Sequence, residues 1–181
     1  MGRPPGGGPP PDSPPPPGVE VRLARAADVR SMLRMFSAVA SERRFIRTES
    51  VSRDRARRIR RSFRRPWTRE RADIVAVADG RVVGHLGVER EEGPILDHVA
   101  SLGMGVAREW RGRGIGSALL AEAFRWAEWA GVEKLALTVY PGNDAAIRLY
   151  RKFGFQEEGR LVAHSKKSYG YEDEVVMGRW L

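Results

Sequence analysis

The sequence predicts an α/β fold, a mixed sheet with helices packed on its faces, and three observations carry that prediction. Short apolar or alternating segments recur between stretches of helical periodicity. Asp79-Gly80 lies between two of these segments as a two-residue hairpin turn. A glycine-rich loop at 112–116 runs from one strand straight into a long apolar helix.

In chain order, Val19 to Leu23 reads as a first strand. Asp28 then caps a helix whose Val29, Met32, Leu33, Phe36 and Val39 repeat at i, i+3, i+4. A second helix near 52–64 has Ala56, Ile59 and Phe63 as an apolar stripe and arginines on its other faces. Strands follow at 73–78 and 81–89, joined by the Asp79-Gly80 turn, and at 97–106. The long helix 115–130, apolar at 115, 119, 120, 123, 124 and 127, stops at Gly131. Strand 134–139, helix 143–153 ended by Gly154, and strands 155–162 and 172–180 complete the chain. The predicted order is β-α-α-β-β-β-α-β-α-β-β, one domain over 19–181, a length that buries enough core to fold unaided.

Composition narrows the chemistry. Without cysteine there is no disulfide framework, no thiolate metal site and no cysteine nucleophile. No apolar run reaches the length of a membrane span and no secretory layout opens the chain, so the expected location is the cytoplasm. Residues 1–18, nearly all proline and glycine, read as a disordered tail, with a proline-motif ligand as the alternative. The net charge of +9 raises a nucleic-acid hypothesis. Of the 32 basic residues only four are lysine, however, so arginine is used throughout, and the densest cluster, 53–65, is the solvated face of an amphipathic helix. Such a face steers an anionic small molecule more readily than it reads bases, and nucleic acid is not the expected partner.

The loop carries the chemistry. Gly112, Gly114 and Gly116 keep Cβ atoms away from an approaching anion, and the first turn of the helix, Ile115-Gly116-Ser117, aims free N–H groups and a positive dipole end at it. Arg111 and Arg113 add charge-assisted donors. The loop lacks the Gly-Lys-Ser/Thr ending of a triphosphate P-loop. Alternating glycines do not make the dinucleotide fingerprint, and Lys134 to Val139 ends on no acidic residue for a ribose. The loop reads as a pyrophosphate cradle that matches neither of these patterns.

With Arg111, Gly114 and Gly116 the segment resembles the Arg/Gln-x-x-Gly-x-Gly/Ala acyl-CoA loop of the Gcn5-related N-acetyltransferases. A second match follows at the family's separation: Asn143, Ala146, Leu149, Tyr150, Gly154 and Phe155 resemble its Asn-x-x-Ala-x-x-Leu-Tyr-x-x-x-Gly-Phe signature. The resemblance covers 19–181 and implies the family's mixed, mostly antiparallel sheet. It also implies acetyl-CoA as acetyl donor, a primary amine as acceptor, and no metal; a homodimer is left open.

The resemblance further implies that the strands on either side of the long helix part at mid-length and hold the pantetheine arm in the gap, bound by the backbone of Leu102, Met104 and Val106. An N–H near Leu102 or Met104 would face the thioester oxygen as it becomes an oxyanion. Gly103 and Gly105 suit a strand that bulges or admits another backbone, or that simply bends. Asn143 belongs to the implied CoA-binding set, and Tyr150 matches the tyrosine that protonates the departing thiolate. The usual glutamate base is missing, because an ungapped alignment on Arg111 puts Ala100 there. His98, two residues earlier, becomes the candidate base, with a structural histidine equally allowed and Asp97, Glu89 or water as alternatives. Glu172, Asp173 and Glu174 either hold a cationic amine or flank the last strand. The chain resembles members that act on amino acids and related small amines; protein acetylation and a non-catalytic acyl-CoA sensor are the other readings.

Overall fold

The computed structural model describes residues 8, 10–47, 51–65 and 67–181. The expected tail over 1–18 therefore lies partly outside the described residues. Residues 10–16 take no regular element, and Val19 N–H donates to the Pro16 carbonyl as the chain enters the sheet.

Seven strands form one sheet: β1 (Val19–Leu23), β2 (Arg71–Ala78), β3 (Arg81–Arg90), β4 (Val99–Val106), β5 (Lys134–Val139), β6 (Gln156–Lys167) and β7 (Gly170–Trp180). They lie in the order β1-β2-β3-β4-β5-β7-β6, antiparallel throughout except for β4 and β5. The helices are α1 (Val29–Ser41), α2 (Arg53–Ser62), α3 (Ile115–Ala130) and α4 (Asp144–Lys152). This is the predicted order of elements. Among the described residues no helix is long and apolar enough to cross a membrane.

Each face of the sheet buries its own apolar cluster. On one face, Leu119, Leu120, Ala123 and Phe124 of α3 and Tyr150 of α4 pack on Ile74, Leu86, Ala100, Leu102, Leu135 and Met177. On the other, Met32, Met35 and Val39 of α1 and Phe63, just past α2, pack on Val75 and Val82. The alternation of strand side chains produces the division, since even-numbered residues of β2 face α3 and odd-numbered ones face α1.

Several element ends differ from prediction by one or two residues, and two differences have a visible cause. Residues 93–98 turn on themselves, with Leu96 N–H bonded to the Gly93 carbonyl and Val99 N–H to that of Leu96, so β4 starts at Val99 and excludes His98. β6 runs past 162 to Lys167, because an irregularity between Leu161 and Ser165 lets its ladder with β7 resume.

Candidate functional site

The site begins where the sheet comes apart. β4 and β5 pair only at Val99–Lys134, Ala100–Leu135 and Ser101–Ala136. Beyond Ser101 they diverge, and β4 keeps its other edge paired to β3 without a register shift from Arg90–Ala100 to Gly84–Val106. From Leu102 to Val106 one backbone edge is therefore paired to no strand, and all five residues line a large cleft with Thr138 and Val139 on the opposite strand. Gly103 and Gly105 do not mark a bulge. An added Cβ would meet nothing within 4 Å at Gly103 and only Val39 at Gly105, so these positions leave the cleft floor clear.

The cleft continues to Gly112, Gly114, Ile115, Gly116 and Ser117. Gly112 (φ +72°) and Gly114 (φ +85°) are left-handed, a conformation that turns the chain into α3 and that side chains resist. The first capture inside the helix is Ala118 N–H to the Gly114 carbonyl at 3.1 Å, which leaves the preceding amides as the open donors of the helix start. Gly116 is small for a different reason: its Cβ would lie 2.9 Å from Leu149, so it lets α4 close against α3.

The two arginines are not free anion donors. Arg111 Nε donates to the Val106 carbonyl at 2.9 Å, and its terminal nitrogens grip the Glu42 carboxylate at 2.7 and 2.8 Å, tying the loop to the end of α1. The Arg113 guanidinium lies over the Trp110 ring, 5.0 Å from its centroid, outside the cleft lining. Asn143 caps α4, its Oδ1 accepting from Ala146 N–H at 3.3 Å, and lines the cleft.

Tyr150 also reaches the cleft, although its ring is packed edge-on to Phe155 and only 5% of the residue is exposed. Burial pushes its phenol up to about 12, so the O–H stays protonated across any working pH. His98 is not brought to the site. It stacks on Trp180 at the closed end of the β4–β5 pair, 5.8 Å between centroids, while its carbonyl accepts from the Glu133 and Lys134 amides. The cause is the turn before β4, which ends the strand alternation one residue short of it.

The polar groups that do gather stand on the α1 face. Asp73, His85, Arg71 and Glu89 all line the cleft. His85 Nε2 is 2.8 Å from Asp73 Oδ1, and Arg71 donates to Asp73 Oδ2 at 2.6 Å. The sequence signal for them was a carboxylate and an imidazole inside otherwise apolar hairpin strands.

Of the three C-terminal acidic residues, Glu174 alone lines the cleft. It is buried on β7, and Arg47 binds it with a terminal nitrogen at 2.6 Å. Burial opposes its ionisation, but the Arg47 guanidinium and the Ser165 and Thr138 hydroxyls outweigh that and hold the carboxyl at about 2. Asp173 instead pairs with Arg160 on the neighbouring strand. Because Glu174 is more acidic folded than unfolded, its contribution to stability is complete above about pH 4.5 and is lost as pH falls toward 2. Arg47→Met should therefore cost about 2 kcal/mol at pH 7, less than for a fully enclosed pair because Arg47 is half exposed. Urea melts at pH 7 and pH 2.5 check this: the difference from wild type should shrink markedly at the lower pH.

Comparison with known proteins agrees with this geometry. The model of the acetyltransferase (GNAT) family matches residues 36–155. The L-amino acid N-acetyltransferase AaaT of Escherichia coli is 37% identical over 107 residues, 59% of this chain and 66% of that protein, so the chain spans just under two thirds of this relative. A ribosomal-protein-alanine N-acetyltransferase structure from Brucella melitensis superimposes with a TM-score of 0.79 at 28% identity, covering 90% of this chain and 99% of that one. A phosphinothricin acetyltransferase from Sinorhizobium meliloti, solved in complex with acetyl-CoA, shares the fold with a TM-score of 0.78 at 23% identity, over 91% of this chain and 89% of its own. With a family match over most of its length, a sheet parted beside a glycine loop and a helix start open to an anion, this chain belongs to the acetyltransferase (GNAT) family.

Proposed function

We propose that this chain transfers the acetyl group of acetyl-CoA to the primary amine of a small molecule such as an amino acid. The observation that carries the proposal is the free edge of β4 at Leu102–Val106, which meets open helix-start amides at one end and carboxylates at the other. The backbone from Gly112 to Ser117 would hold the pyrophosphate and the edge of β4 the pantetheine arm. The fit is favourable, since the left-handed glycines leave that cradle free of Cβ atoms. Arg111 then acts by fixing the loop, and Asn143 by capping α4 where it meets the cleft.

An N–H of the β4 edge near Leu102 or Met104 would stabilise the thioester oxygen as it takes negative charge. Tyr150 would donate its O–H to the departing sulfur. With Asp73 held by Arg71 and Glu174 by Arg47, Glu89 is the carboxylate at the far end of the cleft that would meet a cationic amine. The similarity to an L-amino acid N-acetyltransferase supports a small acceptor. The ribosomal-protein-alanine enzyme among the structural relatives supports a second reading, a protein N-terminus as acceptor.

Measuring thiol release from acetyl-CoA against a panel of amino acids, polyamines and short peptides tests the proposal. Turnover is expected on at least one amino acid and to exceed that on peptides. Preference for a peptide N-terminus would transfer the assignment to the second reading. Tight acetyl-CoA binding with no turnover on any amine would make the protein a sensor.

A further inference from the structure

We propose that His85 is the proton acceptor of the reaction and that Asp73 is its positioning residue, an inference that rests on the acetyltransferase reading above. Geometry supplies the argument. His85 and Asp73 stand on adjacent strands with Nε2 and Oδ1 2.8 Å apart. An ionised carboxylate only accepts, so Nε2 carries the ring proton and donates it, and the lone pair is left on Nδ1. Nδ1 has no partner among the described residues, and it is not one of the sealed unpaired atoms, which are Arg22 Nε, Glu172 Oε2 and Arg179 Nε. It therefore opens toward the cleft that His85 lines.

The position on the sheet is equally specific. His85 pairs in register with Gly105, inside the stretch of β4 whose other edge is free. With no side chain at 105 or 103, nothing on β4 stands between the ring and the cleft floor. Cross-strand neighbours lie about 5 Å apart, so the imidazole sits one strand from the backbone edge where the thioester is expected. The charged groups lining the cleft are Asp73 and Arg71 on β2, Glu89 on β3, Glu42, Arg44 and Arg47 after α1, Arg108 and Arg111 after β4, and Glu174 on β7. From the α2 side the neighbour is the apolar ring of Phe63, 6.4 Å away. Asp73, itself buried, bridges the partly exposed His85 and Arg71, an arrangement that adds little net stability over apolar side chains of the same size.

The protons balance. A primary amine arrives largely as ammonium, and Nδ1 takes one proton from it, directly or through one water. The freed nitrogen attacks the thioester carbon; the N–C bond forms and the C–S bond breaks, with the electron pair leaving on sulfur. The second nitrogen proton neutralises the thiolate, and the imidazolium, held by Asp73, returns its proton to solvent. The products are the amide, the free thiol and one released proton.

The experiment uses the full chain, acetyl-CoA and the best amine of the panel, with kcat/KM followed against pH. His85→Gln should lower kcat/KM at neutral pH by about 10²–10³-fold while acetyl-CoA affinity stays as in wild type. The defect should shrink as pH rises through the amine's own pKa, because free amine needs no acceptor. Asp73→Asn, which keeps the side chain's shape, should lower kcat with KM little changed, since an amide no longer selects the tautomer that leaves the lone pair on Nδ1. It carries the test alone should His85→Gln not fold. A His85→Gln enzyme with the wild-type acidic limb, or with a defect constant over pH, overturns the proposal, as does an undiminished kcat in Asp73→Asn. A wild-type chain silent on every amine would fail the acetyltransferase reading instead.

Discussion

Gly114→Asp is expected to weaken acetyl-CoA binding by about 10²-fold, whereas Arg113→Ala should change it by less than about threefold. Gly114 sits at φ +85°, directly before α3, and lines the cleft with the open amides of the helix start. A carboxylate there would face a pyrophosphate held on the loop. Two like charges 4 Å apart near a protein surface repel by about 4 kcal/mol at an effective dielectric of 20. Solvent screening at this open position reduces that to about 3 kcal/mol, and each 1.4 kcal/mol is a factor of ten in Kd. Arg113, by contrast, lies on Trp110 away from the lining. Gly114→Ala separates charge from backbone strain, because it adds about 1–2 kcal/mol of left-handed strain to the free and bound states alike. Its melting temperature should fall while its Kd holds. Titration calorimetry reads all three variants, and equal small losses for Gly114→Asp and Arg113→Ala would mean that the phosphates bind elsewhere.

What the sequence revealed of this site was its backbone, and what it concealed was its side-chain chemistry. The glycine loop, the helix start, the Asn143 cap and the cleft position of Tyr150 depend on local pattern, and each stands in the predicted element. His85 depends on one residue of register. An unbroken hairpin from Asp79-Gly80 pairs Ala78 with Arg81 and would bring His85 opposite Ile74, facing the α3 core. A bulge between Ala76 and Val77 shifts the ladder so that His85 pairs with Val75 and shares a face with Asp73. Alternation alone cannot show such a bulge. His98 is lost for another reason: the pattern places it on β4, but a tight local turn, closed by the Leu96 and Gly93 carbonyls, removes it. Long-range pairings such as Arg47 with Glu174 and Arg111 with Glu42 join residues far apart in the chain, and no spacing rule predicts them.

Tyr150→Phe is expected to lower kcat by about 10²–10³-fold with acetyl-CoA affinity nearly unchanged. Only the hydroxyl is removed, and the ring keeps its place against Phe155 and the α3 core. The pKa decides what that hydroxyl can do. A thiol has an ordinary pKa of about 8.5, while burial lifts Tyr150 to about 12, so complete transfer to a free thiolate would be uphill by about 5 kcal/mol. The phenol therefore acts by donating a strong hydrogen bond as charge builds on sulfur. The proton that finally neutralises the sulfur comes from the acylated nitrogen. Two results follow from the sign of the shift. No limb of the pH–rate profile below about pH 11 should belong to Tyr150, so Tyr150→Phe should lower the profile without changing its shape. The folded state, which keeps the phenol neutral, should lose stability as pH rises from about 10 toward 12, and Tyr150→Phe should abolish that loss. Steady-state kinetics over pH and melts in alkaline buffer measure the two independently, and full turnover in Tyr150→Phe would reduce this tyrosine to a packing residue.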